Sequence, residues 1–405
     1  MKDEIMKYKI LLLFMIFLFL VPNSQTFSQE SQMNDLKSQV EKIRQKFVPD
    51  KRTAIFEFEI LKDDTLFKIK GKTNLPQVFE AIKRMAKSFK VAFEDFVLLP
   101  DKNLGNKIYA LANLSVINIR SKPQHSAELA TQALLGTPLK VFEARNDWYR
   151  VQTPDGYIAW TDADAIELKT KKGIKKWAEA KKIVYMAECG YSFENPHVNA
   201  PHVSDLVAGD ILELVDEVGE FYCVKYPDGR TAYVSKSEAQ KWGDWLNSRT
   251  LSAGDIISTA FRFMGTPYLW GGTSPKMLDC SGFTKTVYFL NGILLQRDAS
   301  QQVLTGDPVD ISQGLDNLQP GDLLFFGKRA TDSTKERITH VAIYLGNGEF
   351  IHASGRVKLN SLDSQSPIFS EYRYKTFLHA RRILSSIGKN GVEKISRNLF
   401  YRGEF

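Results

Sequence analysis

Residues 338–354 read ITHVAIYLGNGEFIHAS. Two apolar runs, HVAIYL and EFIHAS, flank Gly346-Asn347-Gly348, and an Asn-Gly pair between such runs signals a β-hairpin. Each run carries one histidine, His340 and His352. Side chains alternate faces along a strand, so the turn decides whether the two imidazoles meet. A two-residue Asn347-Gly348 turn pairs His352 with Ile343 and sends the histidines to opposite faces. A three-residue Gly346–Gly348 loop, or a bulge, pairs His352 with Ala342 and puts both on one face. Shared chemistry requires the second arrangement. LQPGDLLFFG, residues 318–327, reads as a turn into an apolar strand beside this hairpin.

Upstream, PYLWGGTSPKMLDCSGFTKTVYFLNG runs from Pro267 to Gly292. The glycine pair and TSPK make a loop, Asp279 suits a helix N-cap and Asn291-Gly292 a helix stop. Cys280 then falls in the first turn of a helix, where the partial positive charge of the N-terminus favours thiolate over thiol. A helix bearing a thiol, followed by a sheet bearing two histidines, fits nucleophilic catalysis. His340 would take the thiol proton, and His352 would orient that ring and hold its tautomer. The Cys280 backbone N–H is a natural oxyanion donor at a helix start, and the Tyr268 hydroxyl can add to it.

The chain around these segments has 405 residues, with 43% hydrophobic and 25% charged, a globular composition long enough for two to four domains. Lys2, Lys7 and Lys9 precede the apolar run ILLLFMIFLFLV, residues 10–21, and PNSQTFSQ follows. That is the pattern of an export signal over residues 1–28, cleaved near Thr26–Ser28. The run is shorter than the roughly 20 residues a membrane span needs. The expected location is therefore the periplasm or cell envelope, with membrane contact only through the signal. In an exported chain a net charge of +7 suits an anionic envelope polymer better than nucleic acid, while charge alone favours a mildly basic surface with no specific partner. Three cysteines leave at least one thiol over. Cys189 and Cys223 share one region, where a disulfide and two reduced thiols are both open. The histidines of NPHVNAPH, His197 and His202, lack zinc spacing, so no metal is expected, nor any organic cofactor.

Residues 33–105 form a small mixed region. Leu36, Val40, Ile43 and Phe47 mark a helix, AIFEFEI (54–60) and TLFKIKG (65–71) a hairpin, and Val78, Ile82, Met85 and Phe89 a second helix behind Pro76. A repeat follows at an offset of 73. Gly136 matches Gly209, Trp148-Tyr149 matches Phe221-Tyr222, and Pro154-Asp155-Gly156 matches Pro227-Asp228-Gly229. Two tandem small β-barrels result, over 106–170 and 171–245. Residues 250–385 hold the thiol and histidines, and 386–405 read as a polar extension. The fold class is multidomain α+β.

The barrel repeat resembles bacterial SH3-like domains, through SVINIR (115–120), the Gly136 turn, Trp148-Tyr149 and DGYIAW. PYLWGG, LDCSGF, RDASQQ (297–302), PGDLLFF and ITHVAIYLGNGEFIHAS resemble, in order, the papain-like NlpC-type cell-wall cysteine peptidases. The resemblance implies an antiparallel sheet with the cysteine helix packed on it, Cys280 as nucleophile, His340 as base and His352 as orienting residue. Paired SH3-like domains before this segment are similar to the γ-D-glutamyl-L-diamino acid endopeptidases of the dipeptidyl-peptidase VI type. That implies a monomeric hydrolase acting on peptidoglycan stem peptides, L-Ala-γ-D-Glu-diamino acid, with a free N-terminal L-alanine. Asp279, Ser281 and Tyr268 match substrate-contact positions by this resemblance. Glu128, Tyr157, Asp298 and Ser300 are further candidates. Met277 and Gln296 depart from the family pattern, in loops. Action on intact wall, or a non-catalytic wall-binding adaptor, are the alternatives.

Overall fold

The computed structural model describes residues 24–63 and 66–405. The charged and apolar parts of the expected export signal lie outside the described residues, and the expected cleavage zone falls at the start of a helix, Ser24–Phe47. Among the described residues no helix is long and apolar enough to cross a membrane. The chain divides into two compact bodies, one ending at Leu99 and one spanning Pro100–Phe405.

In the first body the helices Ser24–Phe47 and Pro76–Phe89 cover a three-stranded sheet of Phe56–Asp63, Leu66–Thr73 and Ala92–Leu98. Leu36, Val40, Val78 and Ile82 pack with Ile69 and Phe96 in its core. The hairpin lies about where the alternation puts it. The third strand escapes sequence reading because AFEDFVL buries only Phe96.

The second body opens with two β-modules, Tyr109–Lys169 and Lys182–Lys241, built to one plan. Counted in chain order, strands seven, one, four, five, six, two and three lie side by side in both. Every strand of the second starts 73 residues after its counterpart, as Trp148–Gln152 does against Phe221–Lys225. The Pro-Asp-Gly turns close alike, Gly156 N–H donating to Thr153 and Gly229 N–H to Tyr226. Cys189 sits on strand two and Cys223 on strand five of the second module, with strand six between them. All three cysteines are free thiols, so the disulfide alternative falls.

The α+β portion follows, and its elements are numbered here on their own. Helices α1 (Ala253–Arg262), α2 (Cys280–Phe289) and α3 (Ala299–Gln302) precede an antiparallel sheet. The sheet comprises β1 (Asp307–Val309), β2 (Leu323–Lys328), β3 (Arg337–Gly346), β4 (Glu349–Ser354) and β5 (Arg356–Ser361), then helix α4 (Glu371–Thr376) and β6 (Phe377–Arg382), in the order β1-β6-β2-β3-β4-β5. Phe283 and Val287 of α2 pack on Phe325, Val341, Ile343 and Ile351, so the cysteine helix lies against the sheet. The tail read as an extension folds back into this body: Glu393-Lys394 pairs with Ile293-Leu294, Ile395 and Tyr401 are buried, and Phe405 meets Tyr109 edge-on at 5.2 Å.

Candidate active site

The hairpin of β3 and β4 takes the bulged arrangement. Gly346 pairs with Glu349 around a two-residue Asn347-Gly348 turn, but the register shifts between Tyr344 and Gly346, so Leu345 is the extra residue and Ile343 pairs with Ile351. This one-residue shift returns both histidines to one face. His340 Nε2 lies 2.7 Å from His352 Nδ1, with the rings perpendicular. Beyond them His352 Nε2 lies 3.0 Å from Asn360 Oδ1, and Asn360 Nδ2 donates to the Ile368 carbonyl at 3.0 Å. His352 pairs with Lys358 on β5, so Asn360 is its diagonal neighbour on the same face.

Cys280 is the first residue of α2. Asp279 caps the helix, its Oδ1 accepting the Gly282 N–H at 2.7 Å. The thiol is buried and faces the Val341 and Ser281 backbone N–H groups, which places it against β3 at the residue after His340. Burial, and then the Asp279 carboxylate, push the Cys280 thiol up to about 12 despite those two N–H groups. This corrects the expectation of a helix-stabilised thiolate. A helix N-terminus is worth at most about 2 kcal/mol, and desolvating an unpaired anion costs more. Burial likewise drives His340 well below 6.5, and His352 to about 3, with the Arg373 cation adding to both shifts. Burial thus favours a neutral thiol and two neutral imidazoles in the resting site. Tyr268, half-buried, is also held protonated, by burial and then by Cys280, and so remains a donor.

Asp279 does more than cap. Its carboxylate also accepts the Gly271 N–H at 2.9 Å and both ends of the Arg297 fork, at 3.2 and 2.6 Å, while Ser281 Oγ donates to it at 3.3 Å. Arg297 is 1% exposed and Asp279 5%, so this is a buried ion pair under the nucleophile. Its remaining capacity for a substrate ammonium is small, and Ser281 Oγ itself accepts from Arg297 at 3.0 Å. Asp298 caps α3 in a capping box with Gln301, and Ser300 is half-exposed within that helix. Gln302 ties α3 to α2 through the Ser281 carbonyl and Thr284.

The first module closes one side of the loop before the thiol. Trp270 Nε1–H donates to the exposed Glu128 at 2.8 Å. Gln132 and Thr273 exchange backbone and side-chain hydrogen bonds at 3.0–3.1 Å. Gly271 lies so close to Leu129 that a Cβ would strike the Leu129 carbonyl oxygen, and its φ of +83° also requires glycine. Within α2, a Cβ on Gly282 would strike the Gly272 carbonyl, which accounts for the glycine after Cys280-Ser281. Tyr157 is half-buried and close enough to Arg297 for their charges to interact. Lys276 reaches both Ser115 of the first module and Asp205 of the second, at 3.2 and 2.5 Å.

Asp279, Cys280 and Ser281 thus lie against the strand that carries His340, with His352 bonded to it, while Glu128 and Tyr157 of the first module meet Trp270 and Arg297. Sequence reading missed Arg297, Asn360 and Arg373. Arg297 lies inside RDASQQ, and its partner Asp279 is on another element, 18 residues away. Asn360 and Arg373 carry no local signal. His197 and His202 lie elsewhere: His202 stacks on Tyr191 at 3.9 Å.

Comparison with known proteins follows the same division. The NlpC/P60 family pattern matches residues 265–382, and the bacterial dipeptidyl-peptidase Sh3 domain pattern matches residues 119–166. A gamma-D-glutamyl-L-lysine dipeptidyl-peptidase of Bacillus cereus is 32% identical over 245 residues, covering 56% of this chain and 67% of that one. Dipeptidyl-peptidase 6 of Lysinibacillus sphaericus is 30% identical over 285 residues, covering 65% and 94%. The crystal structure of an NlpC/P60 family protein from Bacillus cereus superposes with a TM-score of 0.56 at 25% identity, covering 68% of this chain and 99% of that chain.

Proposed function

This chain belongs to the NlpC/P60 family of cysteine peptidases, and from that premise we propose that it cuts the γ-D-glutamyl–L-diamino acid bond of peptidoglycan stem peptides that carry a free N-terminal L-alanine. The observation that carries this reading is the first module's contact with the loop before Cys280, through Glu128, Leu129 and Gln132. A cleft closed on one side near the nucleophile favours a short substrate with a free end over a long cross-linked strand. Glu128 supplies an exposed carboxylate at that side, and a carboxylate is the group that best receives an ammonium.

In this reading His340 takes the Cys280 thiol proton as sulfur attacks the γ-carbonyl. The tetrahedral oxyanion is met by the Cys280 backbone N–H and the Tyr268 hydroxyl. Collapse expels the diamino acid's amine, which takes the proton back from His340 and leaves a thioester on Cys280. Water, deprotonated by the same imidazole, then releases L-Ala-D-Glu. We place this activity in the cell envelope, on the strength of the apolar run at residues 10–21 behind Lys2, Lys7 and Lys9.

Mass spectrometry of products from L-Ala-γ-D-Glu-L-Lys tests the proposal. The free tripeptide should yield L-Ala-D-Glu, and the N-acetylated one should resist. Equal turnover of both would discard the free-amine requirement and favour action on intact wall. Cleavage of neither would leave the adaptor reading.

A further inference from the structure

The chain of hydrogen bonds behind the thiol has a direction, and its far end sets it. A backbone carbonyl only accepts, so the Asn360 amide must turn its nitrogen to Ile368, 3.0 Å away. Its oxygen then faces His352 Nε2 at 3.0 Å. An amide oxygen also only accepts, so His352 carries its proton on Nε2. His352 is 1% exposed and His340 6%, with no carboxylate bonded to either among the described residues, and both rings are neutral. A neutral imidazole protonated on Nε2 is bare on Nδ1. His352 Nδ1 must therefore accept, and the 2.7 Å contact obliges His340 to donate from its own Nε2. One nitrogen lone pair is left in the pair of rings, on His340 Nδ1.

We propose that Asn360 is a positioning residue that fixes the tautomers of both histidines, leaving His340 Nδ1 as the bare nitrogen that takes the Cys280 thiol proton. The reverse chain, His352 Nδ1–H to His340 Nε2, satisfies the same 2.7 Å contact. It would put a hydrogen on His340 Nδ1, where a base is needed. Nothing in the two rings alone chooses between these chains, and Asn360, anchored on Ile368, makes the choice. When His340 accepts the thiol proton, the same alignment points the lone pair of His352 Nδ1 at the new imidazolium. The role as base rests on the functional reading above, whereas the tautomers do not.

Two measurements separate these. ¹⁵N NMR of histidine-labelled full chain reads the tautomers without substrate. Both His340 and His352 should be protonated on Nε2 and bare on Nδ1, and a protonated Nδ1 on His352 would overturn the proposal. Asn360→Leu, close in shape and unable to accept, should lower kcat about 10²-fold with KM within about twofold, and should mix the tautomers. Asn360→Asp, which still accepts from Nε2–H, should recover kcat to within about tenfold of the parent. Asn360→Leu with unchanged tautomers and full kcat would refute the assignment. Should that variant fail to fold, the parent spectrum and Asn360→Asp still decide. Parent protein that shows the expected tautomers but cleaves no stem peptide would sink the functional reading and leave this one standing.

Discussion

Lys285, on the helix that begins with Cys280, reaches 2.6 Å to the carboxylate of Asp155 in the first module's Pro-Asp-Gly turn, and the two side chains are 14% and 1% exposed. A buried pair of this kind is stiffening only while both partners are present. Asp155→Ala should cost about 3–5 kcal/mol of stability in chemical denaturation, because it strands the ammonium. Asp155→Leu with Lys285→Met should cost much less than the two singles combined. Burial pushes the Asp155 carboxyl up, but Lys285 and Thr153 together outweigh it and hold it below 3.8. A carboxyl depressed on folding stabilises above its unfolded value and ceases to as pH falls through its folded one. This contribution is therefore complete at neutral pH and lost only in strong acid.

Arg297 poses a sharper test of geometry, since its fork meets both oxygens of Asp279. Arg297→Lys keeps the charge and loses the fork. It should lower stability by about 1–3 kcal/mol, read as a drop in Tm, while Arg297→Met should fall further, by about 3–5 kcal/mol.

The neutral resting site makes its own prediction in pH. With the thiol pushed up to about 12 and His340 well below 6.5, kcat/KM should be flat from about pH 6.5 to 9. A bell with both limbs inside that window would contradict the buried neutral pair. Alkylation of Cys280 by iodoacetamide should be slow at pH 7 and quicken about tenfold per pH unit towards pH 9. Both histidines are depressed on folding, so the unfolded chain binds more protons below 6.5, and stability should decline as pH falls from 6.5 towards their folded values.

Glu128 is exposed and bonded to Trp270, so its removal should not unfold the protein. Glu128→Gln keeps an acceptor for the indole and removes the charge. It should raise KM for the free-amine tripeptide about tenfold, with kcat within about threefold. An equal loss of affinity for the N-acetylated peptide, read as its inhibition constant against the free tripeptide, would assign Glu128 to architecture alone.

Much of this site could be read from the chain before it was folded, and the exceptions have a common cause. The hairpin's alternation stated the condition under which His340 and His352 meet, but alternation alone could not choose the bulge at Leu345 over a three-residue loop. The helix start at Cys280 was plain from Asp279 and Asn291-Gly292. Its electrostatic consequence was not, because the thiol is buried in the same core as Val341 of β3, about 60 residues on. Arg297 and Asn360 act through partners on other elements, Asp279 and His352, that no local pattern announces. The repeat was legible because the offset of 73 keeps turn glycines and strand aromatics in step. The tail was misjudged because Ile395, Tyr401 and Phe405 are few among polar neighbours.

The abutment of Gly271 on Leu129 is made chiefly by main chain, the Leu129 carbonyl, with the Leu129 Cγ beside it. Exposed side chains such as Glu128 can drift through evolution and alter what an incoming peptide touches there. The distance from the sulfur to that wall would stay as it is. Under the proposed function the first module is a fixed gauge with an interchangeable face: its position would set how many residues fit, and its side chains which ones. Variants seeking a different substrate length should arise by insertion or deletion near 271 or 129, and variants seeking a different terminal residue by simple substitution.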